Sequence, residues 1–188
     1  HGKKLVFAST SEVYGTAQKD AVDEEHPLDS QSPYAASKVA GDRMCKSYAD
    51  VYGMDICIVR NFNVFGPYQN DGKFGSLIPV LVRRALDGDP MEIFGDGFQE
   101  RDYMWVDDAV QAYHLAAGLQ GVYNFGTGTS IKVISIAQEI NLLLEKNGKK
   151  KVPIKFIQGR PGEVLRLRAD ISKAKVVGFS PDTNFNKN

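Results

Sequence analysis

Strand, helix and strand in immediate succession most restrict what this chain can fold into. "KKLVFAS", Lys3 to Ser9, is a short apolar run that reads as a buried parallel strand. Ser32-Pro33 then offers an N-cap followed by proline in the first helical position, where the missing N–H is tolerated. The pattern from Tyr34 to about Tyr52 is helical, and Gly53 is placed to stop it. "MDICIVRNFNVFG" is a second β-rich run that ends in a loop. Two such runs joined by a helix are the grammar of a parallel sheet with crossover helices, so the expected class is α/β.

The same grammar continues downstream. "FGSLIPVLVRRALDG" carries Leu77, Val80, Leu81 and Ala85 at helical spacing, with Pro79 early in the helix and Gly88 near its end. "MEIFGDGFQERDYMWV" reads as two strands around a Gly95-Asp96-Gly97 turn, and Asp107 or Asp108 is expected to cap a helix running to about Gly118. "GVYNFGTGTSIKVISIAQEINLLLEKNG" is one more strand and helix, closed by Gly148, and "KNGKKK" reads as a solvated helix end. The tail "FSPDTNFNKN" has turn chemistry without a closing element.

Bulk properties narrow the partners. The chain has 188 residues, 43% hydrophobic and 24% charged, enough for a buried core. Its 23 Lys and Arg balance 23 Asp and Glu, so no global field points to nucleic acid or an anionic membrane. Cys45 and Cys57 lack metal spacing and read as buried small apolar residues, which suits a reducing compartment. No run is long enough to span a membrane, and "HGKKLVFAST" lacks the features of a signal peptide, so a cytoplasmic protein is expected.

Chemistry centres on two stretches, "STSEVYG" and "SPYAASK". Tyr34 and Lys38 are four apart on one predicted helix and share a face. A neighbouring ammonium favours a phenolate, which is what a tyrosine base needs near neutral pH. Thr10 could share the same substrate oxygen. "FGTGTSIKVIS" mimics a dinucleotide fingerprint, but its third glycine position holds Ile131, so a structural role is expected. His26 and His114 have no partners at metal or triad spacing.

In order along the chain, "STSEVYG", "SPYAASK", "RNFNVFGPYQ", "IFGDGFQERDYMWVDDAV", "YNFGTG" and "RPGEV" resemble the extended short-chain dehydrogenase/reductases that act on nucleotide sugars with NAD. The resemblance implies an incomplete Rossmann-type parallel sheet in residues 1–66 and a smaller α/β substrate-binding part in 67–188, with 101–147 partly returning to the sheet. It places the catalytic triad on Thr10, Tyr34 and Lys38, with Glu12 as a further candidate base. Ser9, Tyr34, Lys38 and Phe62 fall on cofactor positions. Ser11, Asn63, Leu77, Arg101 and Arg160 fall on positions for the sugar nucleotide, a UDP- or dTDP-sugar. For each arginine the competing reading is a surface ion pair with Glu100 or Glu163.

The implied reaction starts with oxidation at sugar carbon 4. Its sequel makes the enzyme a 4-epimerase, a 4,6-dehydratase or a uronate decarboxylase. Well-known dehydratases carry Asp-Glu where this chain has Ser11-Glu12, and "NVFGPYQ" and "IFGDGFQERDY" resemble the epimerases more, so epimerase is expected. The family's glycine-rich phosphate turn has no counterpart ahead of "KKLVFAS". Three readings follow: a truncated enzyme, a nucleotide-sugar binding module without redox chemistry, or an interaction protein that keeps the tyrosine helix as a dimer face. The first is favoured because an intact triad has little use in the others. A homodimer through the Tyr34–Lys38 helix is implied, and half of a parallel sheet would leave an unpaired edge that promotes association.

Overall fold

A computed structural model describes residues 2–72, 75–159 and 161–185. Its first sheet has the order β1 (Leu5–Thr10), β2 (Ile56–Asn61), β7 (Gly121–Phe125), with every pair parallel. Between β1 and β2 runs α1 (Pro33–Tyr52). The Ser32 hydroxyl caps it by accepting from Ala35 N at 3.1 Å, and Gly53 ends it in the left-handed region at φ 62°.

Burial alternates across β2 in a way that fixes the layers. Ile56, Ile58 and Arg60 face α1, where Cys45 and Asp42 lie. Cys57 and Val59 pack with Ala112 and Ala116 of α3 (Val106–Ala116), on the other face. A strand covered on both sides is apolar nearly throughout, as β2 is. β1 is less covered: Leu5 to Ala8 are partly or fully exposed, because among the described residues β2 is its one strand neighbour. Gly41 lets α1 approach here, since a Cβ would sit 2.3 Å from the Phe7 ring.

The remaining elements build a second core. β3 (Asn63–Phe65) pairs in parallel with β6 (Tyr103–Trp105), and β4 (Met91–Phe94) with β9 (Ile154–Ile157). β5 (Glu100–Arg101) lies between β8 (Ile131–Lys132) and β10 (Arg166–Leu167). α2 (Leu77–Asp87) and α4 (Val133–Lys146) cover them, burying Leu81, Met91, Ile93 and Ile136. Each such side chain contributes about 1.5–3 kcal/mol by leaving water. A short helix, α5 (Ser172–Val176), closes the chain against β7.

Two local expectations are corrected. The strands around Gly95–Gly97 do not pair with each other: β4 takes β9, far downstream, while β5 joins β8 and β10. The N-cap of α3 is Trp105, and Asp107 and Asp108 occupy its first turn, where carboxylates favour the positive end of the helix. Among the described residues no helix is long and apolar enough to cross a membrane. Both cysteines are free and buried, and burial raises their thiol pKa values.

Candidate active site

Ligands of open parallel sheets bind beyond the carboxyl ends of the strands, and here that edge is where "STSEVYG" ends β1. Thr10 closes β1 and opens a short 3-10 turn, Ser11–Tyr14. Its Oγ1 accepts from Glu12 N at 3.3 Å, which leaves the hydroxyl proton free to point outward to a ligand oxygen. Ser11 is wholly buried and Glu12 is half-buried, so Glu12 is not the exposed turn residue that its polarity would suggest.

Tyr34 lies in the first turn of α1. It and Thr10 line a cleft of about 580 Å³, with Ser9, Ser11, Glu12, Asn61, Phe62, Asn63 and Leu77 also in its wall. Lys38 stands one turn below Tyr34, its Nζ 5.9 Å from the Tyr34 ring centre and donating to Ala8 O at 2.9 Å. The ammonium is thus held beside the phenol ring without lining the cleft. Phe62 lies mainly in the core.

A second cavity of about 550 Å³ adjoins the first and shares Asn63, Leu77 and Tyr103 with it. Asn63 Nδ2 donates to Asp102 O at 3.0 Å and keeps a second N–H for a ligand. Arg101 lines this second cavity and donates to Glu100 O at 3.0 Å. Among the described residues Arg101 makes no ion pair with Glu100 or Glu163. Glu100 receives Ser130 and Arg166, and Glu163 receives Gln99. Arg160 lies outside the described residues.

Sequence reasoning missed Tyr103, which forms the wall between the cavities. Burial holds its phenol well above the ordinary pKa, with Arg101 opposing and Glu12 and Glu163 adding to the rise. Its place in "RDY", beside Arg101, was the available signal. Asn61, Gln69 and Ser76 also line the first cleft and carried no comparable signal.

Two buried networks hold this edge in place. Asp102 accepts from Thr127 N, Thr127 Oγ1, Gly128 N and Ala169 N at 2.7–3.2 Å. Burial pushes its pKa up while these four donors pull it down. The "GTG" turn therefore wraps a carboxylate of its own chain, and a Cβ on Gly126 would meet Asp102 Oδ2 at 2.9 Å. On the other face Arg60 pairs with Asp42 at 2.8 Å and donates to the Tyr14 hydroxyl, which donates to Asn124 Oδ1 at 2.6 Å. That network joins β2, α1, the 3-10 turn and β7. His26 stands edge-on to Tyr14 and accepts from Gln18 N, a structural role. Among the described residues no group of three His, Cys, Asp or Glu side chains is placed to hold a metal.

A parallel sheet whose carboxyl edge gathers Thr10, Tyr34 and Lys38 beside a two-chambered cleft defines a Rossmann-type chain of the extended short-chain dehydrogenase/reductase kind. The chain belongs to the family described as GDP-mannose 4,6 dehydratase, which matches residues 1–188. A dTDP-glucose 4,6-dehydratase of Streptomyces niveus is 33% identical over 186 residues, covering 97% of this chain and 54% of that protein. The UDP-N-acetylglucosamine 4-epimerase of Methanobrevibacter ruminantium M1, solved with UDP-N-acetylmuramic acid, superposes with a TM-score of 0.90 at 33% identity, over 98% of this chain and 60% of that one. The UDP-glucose 4-epimerase of Thermus thermophilus, solved with NAD, gives 0.89 at 31% identity, over 98% and 60%. The chain thus spans little more than half the length of these relatives.

Proposed function

We propose that this chain carries the catalytic and sugar-nucleotide-binding part of an NAD-dependent nucleotide-sugar 4-epimerase. The carrying observation is one cleft lined by both Thr10 and Tyr34 that adjoins, at Asn63 and Leu77, a second chamber bearing Arg101. A hexose in the first chamber places its 4-hydroxyl between the Thr10 proton and the Tyr34 oxygen. Tyr34 takes the hydroxyl proton as general base, and Thr10 donates a hydrogen bond to the same oxygen. Lys38 sets a positive charge beside the phenol. Asn63 and Arg101 grip the diphosphate, Arg101 through a guanidinium not drawn into an ion pair with Glu100 or Glu163.

Residues at the nicotinamide end fit the cofactor. Ser9 Oγ is buried without a partner at the end of β1, beside the carbonyl that receives Lys38, and so has a hydrogen bond to offer. NAD held at this end would supply the acceptor for the hydride that leaves sugar carbon 4. Residues 1–66 are read as part of the Rossmann domain and 67–188 as mainly substrate-binding, with 101–147 partly returning to the sheet, a reading supported by the parallel pairing of β1 with β2 and of β2 with β7. Epimerase is preferred to dehydratase because the buried Ser11 offers a hydroxyl where elimination of water needs an acid.

The test supplies NAD with UDP-glucose or dTDP-glucose in a full-length context and follows products by NMR. A C4 epimer is expected, and a 4-keto-6-deoxy sugar would instead assign a dehydratase. Tyr34→Phe is expected to lower turnover by about 10²–10⁴-fold with sugar-nucleotide affinity kept. Undiminished turnover contradicts the base assignment.

A further inference from the structure

Tyr68 adopts a backbone conformation that its own side chain disfavours. It follows Pro67 in the loop that leaves β3, and its φ of 64° is, among the described residues, the single positive value outside glycine. A Cβ crowds the backbone there, so turns reserve the position for Gly or Asn. The ring offsets none of this cost, because Tyr68 is fully exposed. It stands at the rim of a third cavity, of about 410 Å³, walled by Phe65, Ile78, Val82, Trp105, Ile140 and Phe185. Relaxed backbone and a buried ring are thus both within reach of a residue that has neither.

Gln69 ties this strained residue to the first chamber, because its side chain lines both that chamber and the third cavity. Its Nε2 donates to Val64 O at 2.9 Å, while Oε1 is buried without a hydrogen-bond partner among the described residues. A buried acceptor left unpaired costs free energy that a donor recovers. Building on the nucleotide-sugar reading above, we infer that Tyr68 is a latch, out in the free chain and closed into the third cavity when a sugar nucleotide fills the first chamber. Turned into the chamber, Gln69 Oε1 accepts from a hexose hydroxyl at the expense of the bond to Val64 O. The backbone of Tyr68 then relaxes to negative φ, and its ring swings in beside Trp105. The ligand gains a contact in the closed form that the open form lacks, which is what shifting such an equilibrium requires. The loop turns at Tyr68 rather than at Gly66, which is pressed so close to α3 that a Cβ there would meet Val106 Cγ1 at 2.6 Å.

Trp105 is the chain's one tryptophan, so its fluorescence reads the third cavity directly. The test titrates UDP-glucose, dTDP-glucose and the bare diphosphates UDP and dTDP into the 188-residue chain, following heat and the acrylamide quenching of Trp105 together. Saturable binding of one sugar nucleotide is expected to lower the quenching constant, whereas UDP and dTDP, which bring no hexose, leave it unchanged. Tyr68→Phe is expected to keep the response. Tyr68→Ala is expected to abolish it and to weaken sugar-nucleotide binding about tenfold, with the affinity for the bare diphosphate kept. Sugar-nucleotide binding that leaves quenching unaltered, or that Tyr68→Ala does not disturb, overturns the latch and leaves the nucleotide-sugar reading standing. A fall in quenching that the bare diphosphate produces equally, or that persists in Tyr68→Ala, overturns the latch as well. Failure of every nucleotide to bind overturns the nucleotide-sugar reading itself, and the latch with it.

Discussion

Tyr14 shows how single residues hold this edge of the sheet without lining its cleft. Its hydroxyl receives Arg60 and donates to Asn124, and burial pushes its pKa up to about 12. Above the ordinary tyrosine value of 10.0 the unfolded chain gives up this proton while the folded chain keeps it. Stability therefore falls as pH rises from about 10 to about 12, by about 2–3 kcal/mol from this group. Tyr103, Tyr113 and Tyr123 are shifted in the same direction and add to the loss. Urea unfolding across alkaline pH is expected to show a shallower decline in Tyr14→Phe than in the parent. At neutral pH the variant is expected to lose about 1–3 kcal/mol, because Arg60 and Asn124 each lose a buried partner. Residues of this kind were illegible in the sequence. Asp102 receives donors from Thr127, Gly128 and Ala169, and nothing in its neighbourhood along the chain announces them. Thr10, Tyr34 and Glu12 were legible because their motifs are local, and the structure brings them to one cleft.

At the scale of elements, legibility follows the range of the interactions that make each one. α1 was readable to within a residue because Ser32, Pro33 and Gly53 act on their own backbone neighbourhood. The two-residue strands β8 and β10 were not, since two residues become a strand only through partners far along the chain. The misread pairing at Gly95–Gly97 has the same cause: a turn-like tripeptide says nothing of whether the flanking strands meet. α1 carries Tyr34 and Lys38, so its start matters to the site. Ser32→Ala removes the acceptor for Ala35 N and is expected to cost about 1 kcal/mol, read as a lower urea midpoint with an unchanged slope. An unchanged midpoint would mean that tertiary packing, not the cap, sets where the helix begins.

Over the whole molecule, apolar surface on α1 points to a second copy. Met44, Tyr48, Val51 and Tyr52 are exposed along the helix, and Tyr48 and Tyr52 lie 5.4 Å apart, ring centre to ring centre. A homodimer through this face is proposed, so light scattering is expected to give twice the chain mass, falling to the monomer in Met44→Glu, Tyr48→Glu. A parent already monomeric at high concentration contradicts it. The proposed function rests on how the two cores meet, because β1 and β2 present Thr10 and Asn61 while β5 and β6 present Arg101 and Tyr103. The most direct measurement is titration of UDP-glucose and dTDP-glucose into the parent chain and into Arg101→Ala. Saturable binding of one of them, weakened about tenfold or more by the substitution, is the predicted result. Binding that is absent from the parent, or indifferent to Arg101, would contradict a sugar-nucleotide cleft at this edge of the sheet.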